Sequence, residues 1–216
     1  MYNEEHEDCQ KFLHLETEKR ERILNAAMRE FLHGFKKAST DNIVREAGIS
    51  KGLLFHYFGT KENLFDFLID YAIDIIQTQY MDLINVRQKD IFDALWQMAL
   101  LKRDVSQRFP VIFEFLSGVY LDSKDCPAKQ HLKKFKELQT KIYSEIYEHC
   151  DKTLFREDID PQKVVDIVHW SLAGWADSKT VSMTPESVGT EMSENYDLYL
   201  DEMKEYLDIF HKCFYK

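Results

Sequence analysis

A chain of 216 residues that is 44% hydrophobic and 13% aromatic can bury one sizeable core, or a small domain beside a larger one, and has the composition of an ordinary soluble protein. With only seven Gly and four Pro among Leu, Ile, Glu and Lys at helical spacing, the expected fold class is all-α with short connections. No run of about 18 apolar residues and no basic-then-apolar leader is present, so neither a membrane span nor a secretion signal is supported and a cytoplasmic location is expected.

In chain order, residues 1–16, MYNEEHEDCQKFLHLE, are polar and acidic at first and are read as an N-terminal extension prone to disorder. Thr17 is placed to cap a first helix over about residues 18 to 33, in which Ile23, Leu24, Ala27 and Phe31 recur at helical spacing and which Gly34 ends. The stretch Ser39 to Leu64, STDNIVREAGISKGLLFHYFGTKENL, holds two further helix starts close together. Ser39 is a cap for a short helix that buries Ile43, Val44 and Ala47. Gly48 supplies the left-handed residue such a stop needs, Ile49 plugs the core, and Ser50 caps the next helix, Lys51 to Tyr57. Two helices joined this tightly form a helix-turn-helix, whose first helix lies across phosphates while the N-terminus of the second meets base edges in the major groove.

Thr60 is read as the cap of a long fourth helix running to about Met81, with Leu64, Phe65, Leu68, Tyr71, Ala72, Ile75 and Ile76 on its apolar face. Beyond it, Ile91 to Gln107 and Phe109 to Tyr120 read as helices separated at Pro110, and a run from near Pro127 to about Cys150 carries Leu132, Phe135, Leu138, Ile142 and Ile146 at heptad-like steps. Asp160-Pro161 starts a helix to about Thr180 that is apolar on more than one side, through Val164, Val165, Ile167, Val168, Trp170, Leu172 and Trp175. Lys179 to Glu194 reads as a loop. A last helix, about Glu194 to Phe214, puts Tyr199, Leu200, Met203, Leu207, Phe210 and Phe214 on one stripe. The last two helices are expected to pair with their copies in a second subunit, giving a homodimer.

The spacing Gly34-Phe35, Ser39, Ile43-Val44, Ala47-Gly48-Ile49-Ser50-Lys51-Gly52, Leu54-Phe55-His56-Tyr57-Phe58 and Lys61-Glu62-Asn63-Leu64 closely resembles the DNA-binding region of TetR-family transcriptional regulators, over about residues 17 to 65. Val44 departs from the Ala usual in that family and is expected to push the two short helices slightly apart. The resemblance implies an extension over 1–16, a three-helix DNA-binding head over 17–65 and a helical ligand-binding and dimerisation body over 66–216, about nine helices in all. It also implies a regulator of transcription, most often a repressor that leaves a near-palindromic double-stranded DNA operator when a small molecule enters the body, with activation as the less common mode.

The DNA-contact set expected is Ser39, Thr40, Ser50, Lys51, Gly52, Leu53, Phe55, His56, Tyr57 and Lys61. An extended Lys51 ammonium can reach a guanine edge or a phosphate, Gly52 lets the backbone approach the groove wall, and Leu53 can touch thymine methyls, while Leu54 and Phe58 point into the core. By resemblance, Phe55 and His56 reach bases or sugars and the Tyr57 hydroxyl donates to phosphate. Thr40, Lys61 and the amides at helix starts suit phosphate oxygens. The net charge of −10 opposes DNA binding, yet between Thr17 and Asp66 nine Lys/Arg face seven Asp/Glu, a local +2. An effector site is expected to draw on Trp96, Phe113, Phe115, Tyr120, Tyr143, Tyr147, Trp170 and Trp175, which would suit an apolar or planar molecule.

Other functions find less material. No GxSxG, Gly-rich phosphate loop or HExxH is present, so no catalytic residue and no cofactor is assigned and the chain is not read as an enzyme. Cys9, Cys126, Cys150 and Cys213 are scattered without a CxxC pair, which fits reduced thiols; the pairs His6-Cys9-His14, His149-Cys150 and His211-Cys213 are too sparse to specify a metal site. A helical small-molecule or partner-binding protein with a non-functional DNA head is the remaining alternative.

Overall fold

The computed structural model describes residues 11–121, 129–184 and 187–216. After a helical turn at 11–13, the chain forms α1 (Thr17–Phe31), α2 (Thr40–Ala47), α3 (Lys51–Phe58), α4 (Lys61–Gln79), α5 (Ile91–Arg108), α6 (Pro110–Leu121), α7 (Lys129–His149), α8 (Pro161–Thr180), α9 (Val188–Glu194) and α10 (Tyr196–Phe214), with 3-10 turns at Met81–Leu83 and Lys152–Leu154. The fold is all-α; among the described residues the one extended pairing is a single bridge between Phe155 and Tyr215. No helix among them is long and apolar enough to cross a membrane.

Local chemistry sets most helix starts where the sequence places them. The Asp160 carboxylate accepts from the Gln162 amide at 2.9 Å, with Pro161 in the first turn, where its missing N–H breaks no helical bond. Thr60 Oγ1 accepts from the Asn63 amide at 3.0 Å. Two starts differ. The Arg20 amide reaches back to the Glu16 carbonyl, so Thr17 is itself the first residue of α1, and the cap position falls on Glu16, which makes no side-chain bond there. The segment read as a loop from Lys179 to Glu194 contains α9: Thr184 and Ser187 exchange amide-to-hydroxyl bonds at 3.0 and 3.2 Å, a reciprocal cap, and Val188 is buried. The periodic signal missed it because seven residues are too few to show a helical stripe.

The chain packs as two units, one of residues 1–75, 109–134 and 184–189 and the other of 76–108, 135–183 and 190–216. In the first, Ile23, Leu24, Ala27 and Phe31 of α1 share a core with Ile43 and Ala47 of α2, Leu54 and Phe58 of α3, and Leu64, Phe65 and Leu68 of α4. This core is larger than a head ending at residue 65 would have. Phe115 of α6 is fully buried with its ring edge-on to Phe65 at 5.9 Å, and Phe31 and Phe35 flank the same Phe65 ring at 4.8 and 5.1 Å. The N-terminal extension also contributes: Phe12 is 0% exposed, with its ring 4.9 Å from Phe58 and 5.5 Å from Phe67. One aromatic in a polar, acidic stretch carries no periodicity, so the sequence reading leaves it outside the fold.

In the second unit α5 packs on α10, and α8 on α10. The chain end is fastened there. The Arg156 amide donates to the Phe214 carbonyl at 2.9 Å, the Lys216 amide to the Leu154 carbonyl at 3.1 Å, and the Tyr215 hydroxyl donates to Asp90 at 3.1 Å while accepting from the Ile91 amide at 3.3 Å. Burial and the Asp90 carboxylate hold the Tyr215 phenol above its ordinary pKa. Asp90 in turn accepts from the Phe92 amide at 2.9 Å, so one carboxylate joins the start of α5 to the end of α10.

Candidate nucleic-acid interface

The turn between α2 and α3 closes as a Schellman motif. Gly48 sits at φ +65°, its amide donates to the Arg45 carbonyl and the Ile49 amide to the Val44 carbonyl at 3.0 Å, and the Arg22 guanidinium of α1 donates to the Ala47 carbonyl at 2.9 Å. These bonds satisfy the carbonyls that the end of α2 would otherwise leave open. Ser50 then caps α3, its hydroxyl accepting from the Leu53 amide at 3.2 Å. Leu54 and Phe58 point into the core, 1% and 2% exposed, which turns the opposite side of α3 outward.

On that outward side Gly52 and His56 are exposed; Lys51 shares the stripe of Leu54 and Phe58 but is exposed at the first residue of the helix, and Leu53, Phe55 and Tyr57 are half-buried. The exposure expected of all three aromatics at the end of α3 therefore belongs to His56; the Tyr57 ring stands edge-on to Phe12 at 5.6 Å and tilted against His56 at 5.4 Å. A Cβ added at Gly52 would meet nothing within 4 Å, so the position is open on the protein side. Lys51 Nζ lies 2.8 Å from the Asp41 carboxylate of α2.

At the start of α2 the sequence expectation changes in detail. Ser39 occupies the cap position, but its hydroxyl makes no capping bond. The Glu30 carboxylate of α1 ties this end of the helix down in another way, accepting from the Ser39 amide at 2.8 Å and from the Asn42 side-chain amide at 3.2 Å. A carboxylate twelve residues from Asn42 gives no local sequence signal, which is why Glu30 is absent from the expected set. Thr40 follows, half-buried, and Val44 is half-buried rather than core. Lys61 is half-buried with its ammonium 4.9 Å over the Phe35 ring. Arg29 pairs with Glu46 at 3.6 Å and Arg45 donates to Asn42 at 2.8 Å.

The eight aromatics expected around an effector divide between the units. Phe113 and Phe115 belong to the first, Phe115 as core. In the second, Trp96 lies under the Lys204 ammonium at 5.4 Å, Tyr147 under Lys152 at 4.5 Å, and Tyr143 stands edge-on to His169 at 5.4 Å. Trp170 is 67% exposed. The Trp175 indole donates to Glu202 at 3.0 Å, and Lys179, ion-paired to the same carboxylate, lies over both Trp175 and Tyr199. Those two donors hold the Glu202 carboxyl below the usual carboxylate range. The Tyr120 side chain lies outside the described residues. So do His6 and Cys9, while His149 and Cys150 are engaged by the carbonyls of Glu145 and Tyr147 at 2.7 and 3.1 Å.

Residues 23–67, which hold α2, α3 and most of the core that carries them, match the model of bacterial regulatory proteins of the tetR family. Curated relatives named nucleoid occlusion factor SlmA include one from Edwardsiella ictaluri, 30% identical over 46% of this chain and 51% of its own length, and one from Pectobacterium carotovorum, 29% identical over 46% and 51%. The chain thus spans about half the length of the curated relatives it matches. Among solved structures, a TetR family transcriptional regulator from Chloroflexus aurantiacus shares the fold with a TM-score of 0.67 at 16% identity, over 96% of this chain and 98% of that one. The ketosteroid transcriptional regulator KstR2 of Mycobacterium tuberculosis does so at 0.58 and 18%, over 94% and 97%. Residues 23–67 thus carry a helix-turn-helix that matches the tetR family model, and the chain shares its helical fold over 96% of its length with a solved TetR family transcriptional regulator.

Proposed function

We propose that the protein is a homodimeric repressor that binds a near-palindromic operator through α3 and leaves it when a small apolar or aromatic molecule enters the helical body. The observation that carries the DNA side of this reading is the exposure of Gly52 and His56 on the face of α3 opposite Leu54 and Phe58, with Lys51 exposed at the first residue of the same helix. Lys51 is the base or phosphate contact, Leu53 and Phe55 the apolar flank, and Tyr57 a phosphate donor, with Ser39, Thr40, Ser50 and Lys61 around them. On this reading Lys51→Ala weakens binding to a duplex selected by the wild-type protein from a randomised pool by about 1–3 kcal/mol, about 5- to 150-fold, if the ammonium reaches a base edge. Fluorescence anisotropy titration measures it, and wild-type affinity in the variant would remove Lys51 from the interface.

The dimer is supported by the outward faces of α8 and α10. Ile167, Trp170 and Val181 are 42%, 67% and 83% exposed at or just beyond the end of α8, with Gly174 between them open to a close neighbour. On α10, Leu198, Tyr206 and Ile209 are 56%, 43% and 52% exposed. Large apolar side chains grouped in this way on two packed helices suit an isologous contact with a second copy.

For the effector, the cavity lined by Leu83, Ile84, Asn85, Ala94, Gln97 and Met98 has a volume of about 60 Å³, against roughly 300–1,000 Å³ for a drug-sized ligand. At this cavity an effector of that size would have to part helices. Binding that opened the body there could act on α4, whose residues to Ile75 belong to the first unit and whose last turn belongs to the second. Coupling of about 1–3 kcal/mol would weaken the operator complex several-fold to about a hundredfold. The curated relatives favour a second reading, a DNA-bound factor of nucleoid occlusion; binding at many dispersed chromosomal sites rather than at a few promoters would select it.

A further inference from the structure

Several cations of the first unit are already engaged inside the protein. Lys51 Nζ is 2.8 Å from Asp41, Arg29 is 3.6 Å from Glu46, Arg22 is spent on the Ala47 carbonyl, and the amide of Ser39, just before α2, is taken by Glu30. Of these anions Asp41 is in the most telling place. It lies in the first turn of α2, where the helix start favours a negative charge, and it is 69% exposed beside a Lys51 that is 50% exposed. A DNA phosphate approaching the start of α2 seeks the same field and the same ammonium.

We propose that Asp41 is a specificity-determining residue: its carboxylate competes with DNA phosphate for Lys51, so that Lys51 leaves it only where the groove offers a base edge as well as charge. An exposed ion pair is weak enough to be exchanged on binding, yet each nonspecific complex has to break it or carry the Asp41 charge against the phosphates. Nonspecific affinity, which is almost wholly electrostatic, loses the most; a cognate site that pairs Lys51 with a base recovers the loss through that contact. The device suits a chain whose charge between Thr17 and Asp66 is only +2 in a total of −10.

The proposal rests on Lys51 being a DNA contact, and a double-mutant cycle separates the two claims. Full-length wild type, Asp41→Asn, Lys51→Ala and the double variant are titrated against the duplex selected by the wild-type protein and a shuffled duplex of equal composition, over a series of salt concentrations. Asp41→Asn is expected to tighten the shuffled duplex by about three- to tenfold, with a salt slope steeper by about one. The selected duplex should gain less, and the gain should disappear in the Lys51→Ala background. Asp41→Glu, which keeps the charge, should retain the wild-type slope, and thermal melts show whether each variant folds. If Lys51→Ala weakens binding while Asp41→Asn changes nothing, or gains equally with and without Lys51, the competition is overturned and the DNA contact stands. If Lys51→Ala binds both duplexes like wild type, the contact fails and the proposal fails with it.

Discussion

Phe12→Ala should cost about 3–5 kcal/mol of stability, the range for deleting a large aromatic from a packed core. Phe12 is 0% exposed, and its ring meets Phe58, Phe67 and Tyr57 at 4.9, 5.5 and 5.6 Å. Alanine leaves a cavity directly beneath the end of α3, where Phe58 anchors the helix and Tyr57 lies against the lost ring. At about 2–4 °C per kcal/mol for a chain of this size, thermal unfolding should fall by on the order of 10 °C. DNA affinity should fall too, because Tyr57 loses the surface that fixes its rotamer. Phe12→Leu keeps most of the volume and should recover most of both losses. A melting temperature unchanged in Phe12→Ala would show that residues 11–13 do not contribute to the core in solution.

Trp170→Asp should separate the dimer without unfolding the protomer. Trp170 is 67% exposed and Ile167 beside it 42%, so a charge there disturbs little inside one chain. In the proposed contact it would be buried unpaired against its own copy, across a two-fold axis that brings like charges together. Aromatic residues at the centre of such interfaces commonly account for 2 kcal/mol or more of association. Sedimentation at micromolar concentration should give a dimer for wild type and a monomer for the variant, with equal helical circular dichroism. Operator affinity should drop by about 10²- to 10⁴-fold, because the second half-site is no longer held near its reader. Ile209→Asp on α10 is the companion test. A variant that stays dimeric and binds DNA normally would move the interface elsewhere.

Much of this was legible in the sequence because the relevant signals are local. Asp160-Pro161, Thr60 and Ser50 each act within three residues, and each caps the helix expected of it. Gly48 is left-handed, as the stop of α2 requires. The helices beyond the head match their periodic stripes to within a few residues, α5 at Ile91–Arg108 and α8 at Pro161–Thr180 among them. What sequence could not supply is contact across distance. Glu30 of α1 holds the start of α2 through Ser39 and Asn42, Phe115 of α6 reaches the core of the first unit, and Phe12 fills the space behind α3. None has a neighbour in sequence that announces its partner.

The same limit applies to the site. Residue types and spacing pointed to α3 as the candidate reading helix, but the state of each cation on it is a tertiary fact. Lys51 is bound to Asp41 ten residues earlier, and Lys61 is drawn over Phe35 by packing that brings the start of α4 beside the loop after α1. An aromatic count likewise could not separate Phe115, which is core, from Trp170, which faces outward.

On the reading proposed above, this chain recognises DNA sequence as a dimer. That is tested most directly by titrating the purified full-length protein against the DNA upstream of its own gene and against a scrambled duplex of the same composition, across a salt series, with stoichiometry read from the same complexes. A specific complex of two protomers per operator is expected, favoured over scrambled DNA by a factor of about 10³ or more at moderate salt, the ratio typical of sequence-specific regulators. If no upstream or selected duplex binds better than the scrambled one, and both complexes dissolve together as salt rises, the helix-turn-helix would be a nonspecific anchor and the regulator reading would be contradicted.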